Sequence, residues 1–172
     1  MSLLHLTFLG GFEVRPGTGP GVALVRKKAQ ALLAYLVVEP GEAHLRDKLA
    51  ALLWGDNSDQ RARQSLRQTL LALRQALPET DPELLRIDAD TVAVDRRAMQ
   101  VDVAILERLV TEGTPQALEQ AAALYKGEFL EGLAVHEPRF EEWLIGQRER
   151  MRELALEALA RLLAHQIKAR AD

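Results

Sequence analysis

The chain of 172 residues contains no cysteine. That excludes a disulfide framework and a thiolate metal site, and it suits a reducing cytoplasm. No apolar run approaches the length of a membrane span. The N-terminal SLLHLTFLGG is too short for a secretory leader and lacks its basic start. A cytoplasmic protein without membrane contact is therefore expected. The four histidines, His5, His44, His136 and His165, are scattered without ligand spacing, so no metal site is expected. No GxxxxGKS/T loop occurs. The glycine-rich stretch Gly17-Thr18-Gly19-Pro20-Gly21 precedes an expected strand rather than a helix, so it is a loop and not a phosphate cradle. Glu141 and Glu142 point different ways on a helix, and no nucleophile–base pair is found. The expectation is a non-enzyme with no catalytic residue and no cofactor.

Excess charge of one sign is lacking too. The net charge is −3, which by itself does not suggest nucleic acid. The total hides an asymmetry. Residues 1–100 hold 13 Lys/Arg against 12 Asp/Glu, whereas residues 101–172 hold 9 against 13. Within residues 46–75 six basic residues stand against three acidic ones. Phosphate binding needs a local field of this kind more than a whole-chain charge. The hydrophobic fraction of 48% and charged fraction of 27% are ordinary for a globular chain long enough to bury a real core.

Residues 4–9 and 12–15 alternate around Gly10-Gly11, a hairpin signature. Val22–Val25 is expected as a third short strand, making a small antiparallel sheet. Residues 26–38 read as a helix with a buried stripe of Ala29, Leu32, Leu33, Leu36 and Val37, ended by Pro40-Gly41. Arg26, Lys27 and Lys28 crowd its first turn and oppose the helix dipole. Either solvent or an outside anion such as phosphate compensates them. Residues 43–45 suit a short strand and residues 47–54 a second helix, with Trp54 expected in the core.

Residues 58–77 form the most informative stretch. Ala62, Leu66, Thr69/Leu70, Leu73 and Leu77 make a single buried stripe, with Ser58 or Asp59 as cap. The opposite face carries Gln60, Arg61, Gln64, Gln68 and Gln75, flanked by Arg63, Arg67 and Arg74, with no acidic residue after Asp59. Arg and Gln can read guanine and adenine edges, and Arg also neutralises phosphate. Taken alone, this face serves equally well as a solvated surface. Two helices joined by about four residues, the second bearing Arg and Gln outward, make a helix-turn-helix arrangement. Residues 85–88 and 91–95 then alternate around Ala89-Asp90, a second hairpin placed as a wing, with Arg86 on it. Ala89-Asp90 departs from the Asp-Gly of a tight hairpin turn. Residues 103–112, 115–126 and 140–168 read as three further helices broken by Gly127–Gly132, and the last is expected to pack back on the winged helix or on another copy.

These elements, in this order, resemble an OmpR-type winged helix. LGGFEV at 9–14, RKKAQALLAYL at 26–36, LAALLWGD at 49–56, ARQSLRQTLLALRQAL at 62–77 and LYKGEFLEGL at 124–133 resemble the Streptomyces antibiotic regulatory protein (SARP) type of transcriptional activator. FEEWLIGQRERMRELALEAL at 140–159 is similar to the start of the bacterial transcriptional activator domain. The resemblance covers nearly the whole chain. It implies an α+β fold: a winged helix-turn-helix with a small antiparallel sheet and wing hairpin over 1–98, then an all-α, tetratricopeptide-like helical domain over 99–172. It also implies that the chain holds roughly half of the family's helical array, as a fragment or a shortened relative.

The leading expectation is a sequence-specific DNA-binding transcription regulator. Arg61, Gln64, Arg67 and Gln68 would reach base edges of double-stranded DNA, and Lys28, Arg63, Arg74 and Arg86 would meet phosphates. The family implies direct repeats bound by more than one copy, head to tail, with contacts to RNA polymerase. The rival expectation is a protein-interaction or sensory module whose winged helix does not bind DNA. Near-neutral charge over 1–100 and the outward apolar Leu71 favour it. Salt dependence separates the two.

Overall fold

The computed structural model describes residues 3–17, 19–39, 41, 43–80 and 82–172. Thr18 of the expected glycine-rich loop and Pro40 of the expected helix stop lie outside them.

Strands β1 (Leu4–Thr7) and β2 (Glu13–Pro16) form the first hairpin, with Leu6 opposite Val14. Two expectations change here. Residues 22–25 are not a strand; only the Val22 N–H reaches the sheet edge, at the Val14 carbonyl, 2.8 Å. The third strand is instead β6 (Met99–Val101), which pairs parallel to β1 and gives the order β2-β1-β6. The sheet is therefore mixed rather than antiparallel. β6 takes the second edge of β1, and at the outer edge of β2 residues 22–25 make that single bond and no ladder. The sheet also spans the boundary expected between 98 and 99.

Helix α1 (Lys27–Val38) is buried at Ala29 and at every position from Ala31 to Val37. The sequence pattern by itself implies one stripe. The remaining faces are covered by several elements, the helices Arg46–Leu53 and Asp59–Ala76 and the strand Thr91–Val94 among them, and the last helix adds Trp143, whose ring lies 5.0 Å from Tyr35. Strand β3 (His44–Leu45) leads into α2 (Arg46–Leu53) and, after a four-residue turn and the single residue Trp54, α3 (Asp59–Ala76). Strands β4 (Leu85–Ile87) and β5 (Thr91–Val94) form the wing and pair with β3 in the order β3-β5-β4.

Helices α4 (Asp102–Glu112), α5 (Pro115–Leu124) and α6 (Pro138–Ala171) make the helical part. Thr114 caps α5 through a 3.1 Å bond from the Ala117 N–H, and Pro115 follows at the first helical position. Between α5 and α6 the GEFLEG loop crosses the β1–β2 turn. The Leu130 N–H donates to the Phe8 carbonyl at 2.7 Å, and the Gly10 N–H donates to Glu128 at 3.0 Å. A Cβ on Gly127 would stand 3.0 Å from the Gly10 Cα, and Gly10 itself sits at φ +103°. Both glycines are thus required by backbone meeting backbone. Arg148 of α6 holds the loop from the other side, donating to the Phe129 and Leu130 carbonyls at 2.9 Å each.

The chain is poor in aromatics, 5% of residues, and gathers them where the two parts meet. Phe8, Phe129, Phe140, Tyr35 and Trp143 stack in a chain of tilted and edge-on contacts, with centroids 5.0–6.0 Å apart. One continuous core results. Trp54 belongs to it, as expected.

Candidate nucleic-acid interface

Ser58 starts α3 by accepting the Arg61 N–H on its hydroxyl, 3.3 Å. The helix then buries Ala62, Leu66, Thr69, Leu70 and Leu73, the stripe legible in the sequence. Its outward face looks into a groove of about 1270 Å³ whose far wall is the wing tip, Ala89 and Asp90. Gln60, Arg63, Gln64, Arg67, Gln68 and Leu71 line the helix side. Among the described residues, the side chains of Gln64, Arg67 and Gln68 have no protein partner and all three are exposed.

The wing forms despite its Ala89-Asp90 tip. The Asp88 N–H closes the turn on the Thr91 carbonyl at 2.9 Å. Arg46 braces it twice: its backbone N–H donates to the Asp90 carbonyl at 2.8 Å and its guanidinium to the Asp88 carbonyl at 3.0 Å. Arg46 thus fixes the width of the groove and adds a cation to its wall. In the sequence Arg46 is one local cation among six, and nothing local signals this role, because the contact joins residues 42 positions apart.

The eight candidate residues divide. Gln64, Arg67, Gln68 and Arg63 share the groove, while Arg61 is exposed beside it. Arg63 pairs with Asp47 at 3.0 Å, with side chains 63% and 73% exposed. A pair so open to solvent is worth at most about 1 kcal/mol, so phosphate can displace Asp47. Arg74 and Glu83 (3.9 Å) and Arg86 and Asp88 (3.7 Å) are equally loose, solvent-facing pairs. Lys28 stands apart from the other seven. Its ammonium lies 3.2 Å from Glu137 and 5.2 Å from the centre of the Trp54 ring, away from the groove. The compensating anion at the start of α1 is thus a carboxylate from α6. Arg96, which follows the wing, turns inward to cap the Val37 and Glu39 carbonyls at the end of α1.

Two groups that sequence reading did not single out hold the scaffold. Asp102 is buried, and its carboxylate accepts the Phe8 N–H at 3.0 Å and the Leu9 N–H at 2.8 Å. Burial pushes its carboxyl above the usual carboxylate range against the pull of those amides. His44 packs edge-on against Tyr35 with centroids 5.7 Å apart. Burial pushes its imidazole below the ordinary value, opposed by Glu39 and aided by Lys48 and Arg96.

Among the described residues no cluster of potential ligands could hold a metal ion, and no helix is long and apolar enough to cross a membrane. Residues 89–170 match the family described as the bacterial transcriptional activator domain. The matched stretch begins inside the wing and includes β5 and β6, so its first strands belong to the sheets that build the winged helix. The fold is similar to that of Mycobacterium tuberculosis EmbR, solved in complex with a low-affinity phosphopeptide, with a TM-score of 0.73 and 19% identity. The match covers 99% of this chain and 50% of that one, so the chain spans about half the EmbR chain. No curated protein matches the sequence. The resemblance to SARP-type activators is borne out, in its second half by the activator domain and throughout by the winged-helix-plus-helical fold.

Proposed function

We propose that this chain is a sequence-specific DNA-binding transcriptional activator, with residues 1–98 as the DNA-binding part and α3 lying in the major groove. The observation that carries this reading is the groove between α3 and the wing. Its helix wall offers Gln64, Arg67 and Gln68 to base edges, and Arg46 and Arg63 flank them with positive charge. Gln matches the N6/N7 edge of adenine and Arg the O6/N7 edge of guanine. Arg61, beside the groove, reaches an outer base pair, and Arg63, Arg74 and Arg86 trade weak carboxylate partners for phosphates. Lys28 does not take part in this reading. More than one copy binds head to tail on direct repeats, and the activator domain faces RNA polymerase.

The deciding experiment is selection from a randomised duplex pool, followed by sequencing, with an Arg67→Ala, Gln64→Ala variant in parallel. An enriched motif that the variant loses supports the reading, and the repeat spacing counts the copies. Binding should fall with salt at a slope near −0.9 per phosphate contacted. A protein partner is the second reading, favoured by Leu71, which is 55% exposed in the same groove. Binding through such a surface would barely respond to salt, and the pool would show no motif.

A further inference from the structure

The start of α6 reaches the corner between α2 and α3. Glu137 is largely buried there, its side chain 12% exposed, and its two oxygens serve different elements. Oε2 lies 3.2 Å from the Lys28 ammonium, in the first turn of α1. Oε1 accepts the Gly55 amide N–H at 3.2 Å. Gly55 opens the turn that leads into α3, and a Cβ on it would meet the Ala51 carbonyl oxygen at 3.0 Å. The turn is therefore tight at the very residue that Glu137 holds. Lys28 in turn lies over Trp54, the residue before Gly55. One carboxylate thus joins α6, α1 and the corner. A second tie sits six residues on, where Trp143 Nε1 donates to Glu39 Oε2 at 2.9 Å, just past the end of α1. Together they fasten α6 along both ends of α1.

We propose that Glu137 is a positioning residue for DNA reading: it clamps the helix-turn-helix corner to the activator domain and so sets the angle at which α3 faces the wing. The inference rests on the DNA reading above. Charge-assisted hydrogen bonds of a sheltered carboxylate are stronger and less screened by salt than the open ion pairs around the groove. α3 begins four residues after Gly55, so a shift of the corner is a shift of the helix start. Glu137 itself is not among the residues that line the groove. The clamp would let a load on the helical part alter DNA reading without any change in the reading face.

The test uses the full chain, the duplex that the wild type enriches, and Glu137→Ala, Glu137→Gln and Lys28→Met variants. Glu137→Ala should weaken binding about threefold to thirtyfold, the size of coupling carried by residues that contact neither site. The salt slope should stay at the wild-type value, because no phosphate contact is lost. Hydrogen exchange of the amides at 55–58 should quicken while the core amides of α1 and α4 keep their protection. Glu137→Gln keeps an acceptor for Gly55 and should fall between. Lys28→Met added to Glu137→Ala should cost nothing further. Wild-type affinity with unchanged exchange at 55–58 overturns the proposal. So does a loss shared by the core amides, which marks general destabilisation, and so does a shallower salt slope in Lys28→Met, which puts Lys28 on phosphate. If the wild type enriches no duplex, the DNA reading itself has failed; exchange at 55–58 then judges the clamp alone.

Discussion

At the scale of single residues, the buried polar groups decide most. Asp102 satisfies two amides at the end of β1, where the strand leaves the sheet and no ladder partner remains for them. Asp102→Ala orphans both, at a cost of about 1–3 kcal/mol per buried donor, and should lower the urea midpoint accordingly. Asp102→Asn keeps one acceptor and should cost less. His44 is a second case. Its native pKa is depressed, so the unfolded chain binds the proton more readily. The contribution is full above the unfolded value of about 6.5 and is lost as pH falls through the depressed native one. Stability measured between pH 7 and pH 5 should therefore decline, and His44→Leu should flatten that limb. Neither residue could be assigned from sequence. A single Asp at a helix start reads as an ordinary cap, and a His within residues 43–45 as an ordinary strand residue. Only contacts across 94 residues, for Asp102 to Phe8, give the first its role.

Among the elements, α3 was the most legible. Its period, its cap and its polar face all follow from local sequence, and the structure keeps each. The wing was legible as a hairpin, but what holds its unusual tip was not, because Arg46 lies on another element. α1 was half legible: its periodic residues are buried, yet so are Ala31, Ala34 and Tyr35, which a lone amphipathic helix would expose. α6 shows the opposite. Leu144 is fully buried, whereas Leu156, Leu159, Leu163 and Ile167 are 50–60% exposed on its last turns. The apolar pattern runs on, but the packing does not. Leu144→Ala should therefore cost about 2–5 kcal/mol, as core truncations do, while Leu163→Ala should cost less than about 0.5 kcal/mol. Urea denaturation of the two variants side by side checks this. Equal losses would show that the last turns of α6 are covered in solution.

For the whole molecule, the winged helix and the helical part share their sheet, their aromatic cluster and the ties from α6. A fragment ending at residue 98 would lack β6, leaving β1 with an open edge, and would expose the Tyr35 side of α1. It should melt well below the full chain or aggregate, since an uncovered edge strand invites pairing with another chain. A thermal melt of the 1–98 fragment against the full chain checks it, and an equal melting temperature would establish two independent units.

Local sequence determined what local physics controls. The helices, both hairpins, the cap of α3 and its Arg/Gln face follow from periodicity and turn chemistry over fewer than twenty residues. The absence of cysteine and of ligand spacing bounded the chemistry in the same way. Tertiary structure alone decided that β6 rather than residues 22–25 completes the first sheet, that Lys28 faces Glu137 rather than the groove, and that Arg46 braces the wing. Each of these is a choice among partners of similar local merit, far apart in the chain. Such choices are settled by which edge is free and which charge is sheltered once the core has closed.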